Sequence, residues 1–261
     1  MPIVDTHCHV SPIWYEPVES LLFQMDRCGV DQAVLVQMLG QSDNRYQFEC
    51  IRRHPDRLAG VVIVDSDRPD ARERLAQLAD QGAAGVRLRA ATRSPGDDPL
   101  ALWRQAEALG LPISVAGDAA SLASPEFAQV AAAITGVPII LEHLGSVNHP
   151  DGEAAPYDRR SRVFALAQHP HLYIKIHGLG EICPRRMPPT PPIPLDLTNL
   201  TLLDQAYAAF GPQRMMWGSD YPPVAGREGY ANALAWPQGH FSAEDGIWIF
   251  GATAQGVYGL G

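Results

Sequence analysis

The sequence predicts a closed (β/α)8 barrel, the TIM-barrel architecture of the α/β class, and three observations carry that prediction. Eight short runs rich in Val, Ile and Leu recur along the 261 residues. Stretches of helical character lie between them, several ending at a glycine suited to the left-handed position that stops a helix. The position after the first run, where an open doubly wound sheet usually carries a glycine-rich turn, holds "HCHVSP" instead. Strand alternating with helix is the signature of a parallel sheet with crossover helices, and eight such units close most naturally into a barrel.

Taken in order, the strand candidates are 3–9 (IVDTHCH), 32–37 (QAVLVQ), 58–64 (LAGVVIV), 84–89 (AGVRLR), 112–117 (PISVAG), 138–145 (PIILEHLG), 172–178 (LYIKIHG) and 214–220 (RMMWGSD). Helix-like segments such as "VESLLFQMDRCG", "DARERLAQLADQG", "LALWRQAEALG" and "SPEFAQVAAAITG" separate them. One domain spanning 1–261 is expected, because α/β barrels reach this length as one unit and no repeat or linker marks a boundary. The one compositional anomaly is "CPRRMPPTPPIP" at 183–194, too proline-rich for helix or sheet. It follows the seventh strand, so it is expected to border the substrate pocket and to influence specificity.

Hydrophobic residues make up 46% of the chain, enough for a sizeable core, and the formal net charge is −9. Lys and Arg are scattered singly or in pairs, without the basic stripe that a phosphate backbone requires, so no nucleic-acid partner is expected. Cys8, Cys28, Cys50 and Cys183 show neither C-x-x-C spacing nor a dense framework, which favours reduced thiols. No signal-peptide pattern and no membrane-length apolar run occurs, so the expectation is a soluble cytoplasmic protein acting on a small molecule, with no membrane partner. A homo-oligomer is compatible with these features.

Two His-x-His pairs occur, at His7 and His9 and at His169 and His171. In a barrel the functional face lies where strands end, and the loops leading into strands lie on the opposite face. His7 and His9 close the first strand, whereas His169 and His171 precede the seventh and are read as solvated loop residues. Residues two apart on a strand share a face, so His7 and His9 point together into the barrel and Cys8 points out. The same alternation puts Arg87 and Arg89 inward on the fourth strand and Tyr173, Lys175 and His177 inward on the seventh. On the sixth strand His143 shares parity with Ile139 and Leu141, and on the eighth Asp220 shares parity with Met216 and Gly218. Ionisable groups at several strand ends thus converge on one interior, where burial without a network would cost several kcal/mol, on the order of 2–7 per group. This concentration reads as a site rather than as packing.

These motifs resemble a family. The D-T-H-x-H of the first strand, E-H-L-G of the sixth, K-x-x-G-L of the seventh and G-S-D-Y-P of the eighth are similar to those of the amidohydrolase superfamily. More narrowly they resemble the amidohydrolase-2 branch, which holds sugar-acid lactonases, 2-pyrone-4,6-dicarboxylate lactonase and aminocarboxymuconate semialdehyde decarboxylase. The resemblance runs from residue 5 to about 258 and implies a hydrolase whose His7, His9, His143 and Asp220 surround the reacting carbon. It also implies that His7, His9 and Asp220 could hold one divalent metal, zinc foremost, with water completing the shell. Lactonases of this branch are associated with working without a metal, so the ion is not a requirement of the reading. The sequence departs from the family at two points. The fifth strand offers only Ser114 and Asp118 where metal-dependent members place a histidine or carboxylated lysine, and His177 stands where relatives more often show serine.

The expected chemistry is attack of water on the carbonyl of a small carboxylated or sugar-derived lactone. Asp220 would serve as general base, and His7, His9 and His143 would stabilise the oxyanion. Arg87 and Arg89 would offer planar forks to a substrate carboxylate, with Lys175, His177 and Tyr221 as further substrate contacts. The alternative is a metal-dependent decarboxylase or hydratase of a small unsaturated acid, and a third reading is a non-catalytic binding barrel.

Overall fold

The two edges of an eight-stranded parallel sheet meet at His7 and Asp220, which places these two residues on adjacent strand ends. The computed structural model describes residues 1–146, 156–188, 195–197 and 200–261. The strands are β1 (Val4–Cys8), β2 (Gln32–Val36), β3 (Leu58–Val62), β4 (Gly85–Arg89), β5 (Ile113–Ala116), β6 (Ile139–Leu141), β7 (Leu172–Ile176) and β8 (Met215–Trp217). They pair in chain order, each parallel to the next. Just beyond β8 the Asp220 amide donates to the His7 carbonyl at 2.8 Å and the His9 amide donates to the Tyr221 carbonyl at 2.8 Å, which joins the last strand to the first. Gly218 makes this seam possible, because a Cβ there would sit 2.6 Å from the His7 Cβ.

Period-two alternation divides the strand residues between two apolar layers. Val4, Val34, Val61, Ile140 and Met216 fill the barrel interior together with Tyr258 of the C-terminal helix Thr253–Tyr258, and Tyr173 packs against them. Cys8, Val86, Leu88, Ile139, Leu141, Ile174, Ile176 and Trp217 face the helices instead. The interior is therefore a packed apolar core toward the strand starts, and the imidazoles gather beyond it at the strand ends.

The helices follow from their caps. Val18–Cys28 stops at Gly29, whose φ of 69° is costless for glycine and whose amide turns back toward the Asp26 and Met25 carbonyls. Pro125–Ala133 begins after Ser124, whose hydroxyl accepts from the Phe127 amide. No described helix is long and apolar enough to cross a membrane.

Most strands stop one or two residues short of the expected limits, but two stop three or four residues short, and the reason bears on the site. β6 stops at Leu141, not 145, because His143 and Leu144 take left-handed conformations with φ of 51° and 50°. β8 stops at Trp217, not 220, and Asp220 has φ of 57°. His171 also differs from expectation, since its Nε2 lies 2.9 Å from the Ala131 carbonyl instead of in open solvent. The flanks of the proline-rich segment are tied down: Arg185 bridges to Leu195 and donates to the Gly226 carbonyl at 3.1 Å. Residues 189–194 of the expected specificity segment lie outside the described residues.

Candidate active site

The polar cluster at the strand ends is assembled by backbone geometry as much as by strand alternation. Ile139 and Leu141 face the helices, so strict alternation would send His143 outward as well. The left-handed turn at His143 reverses this and brings its ring against His7 and His177. A left-handed conformation costs a non-glycine residue roughly 1–3 kcal/mol and persists where surrounding structure holds it, often at functional sites. Asp220 is delivered by the same device beyond β8.

Four imidazoles result, packed around His7. Ring centroids lie 4.9 Å from His7 to His9, 5.0 Å to His143 and 4.7 Å to His177. His143 and His177 stack face to face at 3.5 Å with planes 8° apart. All four are buried. Burial holds His9 and His143 down to about 4 and lowers His7 and His177 well below the usual histidine value, so each ring is neutral near pH 7.

His9 has a defined tautomer. Its Nδ1 lies 2.6 Å from the Val36 carbonyl, which can only accept, so Nδ1 carries the hydrogen and Nε2 carries a lone pair. That lone pair faces Asp220 Oδ1 at 3.5 Å. Two acceptors in this position are reconciled by a proton on Asp220, by a water, or by a cation. Burial pushes the Asp220 carboxyl up to about 6, against the opposite pull of His143 and Arg87. Its Oδ2 accepts from Arg227 Nη2 at 2.9 Å, and Arg227 also pairs with Glu181, whose Oε2 stands 3.6 Å from His143 Nδ1.

The remaining predicted residues are divided. Arg87 is buried, and the bidentate edge expected to face a substrate faces Glu142 instead: Nε lies 3.0 Å from Oε1 and Nη2 lies 2.6 Å from Oε2, while Nη1 donates to the Gln37 carbonyl. Ser114 of β5 donates to the same carboxylate at 2.7 Å, and Asp118 caps a helix by accepting from the Ser121 amide. Burial opposes ionisation of Glu142, but the Arg87 guanidinium holds its carboxyl down at about 2. Arg89 is exposed and is not brought to the imidazoles; with Arg87, Leu39, Asp67 and Thr92 it lines a cavity of about 380 Å³ whose lining includes none of the four imidazoles and not Asp220. Lys175 lies beneath the imidazoles, donating to the Thr6 carbonyl at 2.7 Å, with burial lowering it to about 8. Tyr221 is not brought to the cluster and packs edge-on against Tyr230 among the helices. Asp5 joins β1 to the β8 end by accepting from Ser219 and from Tyr230.

Sequence reasoning missed Glu142, Glu181 and Arg227. Glu142 stood within the quoted E-H-L-G without a role, and its alternation with Ile140, an inward residue, was the available signal. Glu181 and Arg227 sit in irregular segments, where no periodicity marks a direction. Glu228 anchors that region by accepting from the Gly180 amide at 2.9 Å, and a Cβ on Gly178 or Gly180 would collide with its carboxylate.

A closed parallel barrel with imidazoles and a carboxylate at its C-terminal strand ends defines an enzyme of the amidohydrolase superfamily. The chain belongs to the amidohydrolase family, whose pattern it matches over residues 4–260. No curated protein sequence matches it. Among solved structures it is similar to a probable 2-pyrone-4,6-dicarboxylic acid hydrolase from Acinetobacter baumannii with citric acid bound (TM-score 0.77, 21% identity, 99% of this chain and 100% of that one). It is likewise similar to an amidohydrolase from Burkholderia multivorans with bound zinc (0.79, 21%, 100% of each chain). A 2,6-dihydroxybenzoate decarboxylase from Rhizobium is also similar (0.63, 16%, 100% and 99%). At these identities the structural likeness establishes the fold.

Proposed function

We propose that the protein opens a small carboxylated lactone by attack of water on the ring carbonyl. The observation that carries this reading is Asp220, a buried carboxylate raised to about 6 and set against an imidazole of fixed tautomer. A base whose pKa lies near the working pH combines ionisation with proton affinity. Asp220 takes a proton from water as its oxygen bonds to the carbonyl carbon, the acyl C–O bond then breaks, and Asp220 returns the proton to the departing ring oxygen. His9 Nε2 accepts a hydrogen bond from the other O–H of that water, which stays on the attacking oxygen, and so orients it. His7 and His143, neutral at this pH, each have one N–H to donate to the carbonyl oxygen as charge develops.

The anionic substrate class is supported by Arg89 in the wall of the cavity that it shares with Arg87, and by the citric acid in the Acinetobacter baumannii neighbour. The likeness to a decarboxylase favours the second reading, loss of carbon dioxide from a small acid at the same site. A divalent ion fits the donor set, since the lone pair of His9 and the carboxylate of Asp220 face one another beside His7 with their ligand atoms within 4.8 Å. Such an ion supplies Lewis acidity toward a carbonyl or carboxylate.

The test is a panel of carboxylated five- and six-membered lactones, their methyl esters and a set of aromatic acids, followed by proton release and by evolved carbon dioxide. Turnover of the free-acid lactones with proton release and without carbon dioxide is expected. Carbon dioxide from the aromatic acids with no lactone opening would transfer the assignment to the second reading.

A further inference from the structure

Beyond β6 three residues in succession, His143, Leu144 and Gly145, hold left-handed conformations, with φ of 51°, 50° and 78°. Residues other than glycine visit this region singly as a rule, so two of them ahead of a glycine make a turn that something outside it must hold. The backbone closes the turn with two bonds, from the Gly145 amide to the Glu142 carbonyl at 2.8 Å and from the Ser146 amide to the His143 carbonyl at 3.1 Å. The Leu144 carbonyl is met by a side chain. Nη1 of Arg160 donates to it at 2.9 Å and to the His143 carbonyl at 3.4 Å. Arg160 is fully buried and sits on the helix Asp158–Phe164. Val163, three residues on and on the same face of that helix, packs so closely that a Cβ on Gly145 would lie 2.6 Å from its Cγ1.

We propose that Arg160 is a positioning residue for His143, its guanidinium fastening the left-handed turn that sets this imidazole against His7 and His177. The inference rests on the role given to His143 above, an N–H donor to the carbonyl oxygen. Strand alternation would turn His143 outward with Ile139 and Leu141, so its inward direction belongs to the turn and not to the strand. With the turn in place the ring stacks on His177 at 3.5 Å with planes 8° apart, and its centroid lies 5.0 Å from that of His7. Arg160 acts on this arrangement through the backbone, because its bonds to the turn go to carbonyl oxygens and not to the ring. The two hydrogens of Nη1 lie in the fixed guanidinium plane, one for each carbonyl, whereas a lysine ammonium on its flexible stem fixes no such direction. A donor that stabilises developing charge must be in place before the charge appears. Loosening the turn therefore lowers kcat and leaves KM nearly unchanged.

The experiment compares the wild type with Arg160→Met, Arg160→Lys, His143→Asn and the double variant Arg160→Met/His143→Asn, each checked for folding by circular dichroism, by lactone turnover and by crystal structures of the wild type and of Arg160→Met. His143→Asn is expected to lower kcat by about 10², the usual effect of removing one such donor. Arg160→Met should lower kcat at least about 10-fold with KM within about threefold, and should cost nothing further in the His143→Asn background, since a residue that acts only through His143 has nothing left to position there. In its crystal structure residue 143 should leave the left-handed region and the stack on His177 should open. If Arg160→Met does not fold, the same comparison is made with Arg160→Lys, which should lose at least about threefold in kcat and again nothing more beside His143→Asn. A crystal structure of Arg160→Met with the turn and the stack intact, a kcat equal to that of the wild type, or a loss of the same size in the His143→Asn background would overturn the proposal. A wild type that opens no lactone would count against the reaction and not against this inference, which the structure of Arg160→Met then decides.

Discussion

Arg87 and Glu142 form a buried bidentate pair across the barrel, with Nε and Nη2 at 3.0 and 2.6 Å from the two carboxylate oxygens. Removing one partner of such a pair strands the other charge, at a cost of about 3–5 kcal/mol. Arg87→Met should therefore lower unfolding free energy in urea by that order at pH 7, and Arg87→Met combined with Glu142→Leu should recover most of it. Glu142 is depressed to about 2 in the folded chain, against 4.5 for an unperturbed carboxyl. The pair's contribution is thus complete above pH 4.5 and is lost as the pH falls toward 2. Unfolding curves that do not change between pH 5 and pH 2.5 would contradict this.

Asp220 carries the opposite sign. Its folded value of about 6 lies above 3.8, so the native state binds its proton more tightly and stability falls as pH rises between these values. Asp220→Asn removes a cost of up to about 3 kcal/mol at pH 8, so the variant should melt higher than the wild type there, with the gap closing toward pH 4. Turnover requires the ionised carboxylate, so kcat/KM of the wild type should fall below pH 6. In Asp220→Asn it should drop by roughly 10²–10⁴.

Arg89 is expected to hold the substrate's carboxylate from the wall of the cavity it shares with Arg87. Arg89→Met should raise KM for a carboxylated lactone far more than for its methyl ester, with kcat little changed. Equal losses on both substrates would mark the residue as part of the wall and not as an anion contact.

Much of this site was legible because it lies on strands. Period-two alternation correctly turned Ile174 and Ile176 outward, and with them placed Tyr173, Lys175 and His177 inside. Alternation fails where strands end. His143 reaches the cluster through a left-handed turn, which no side-chain pattern in "ILEHLG" encodes, and Arg227 reaches Asp220 from an irregular segment. Arg87 was assigned a direction correctly and a partner incorrectly, because alternation gives the face a side chain occupies and not the group it meets there. The buried acid that claims it comes from two strands away.

The barrel seam gives a further prediction. A methyl group at Gly218 would meet the His7 Cβ at 2.6 Å and the His7 amide nitrogen at 2.9 Å, where β1 and β8 have no room to part without moving Asp220. Gly218→Ala should cost about 1–3 kcal/mol by overpacking, read as a lower melting temperature, and should lower kcat more than Ala substitution at the unobstructed Gly226.

The central claim is that water adds to a lactone carbonyl with Asp220 moving the proton, and the most direct measurement is turnover of a carboxylated lactone in H₂¹⁸O by the wild type and by Asp220→Asn. The account predicts one ¹⁸O in the new carboxylate of the ring-opened product, no carbon dioxide, and a variant slowed by roughly 10² or more. Carbon dioxide release without ring opening, label in the product hydroxyl in place of the carboxylate, or an Asp220→Asn variant as fast as the wild type would contradict it.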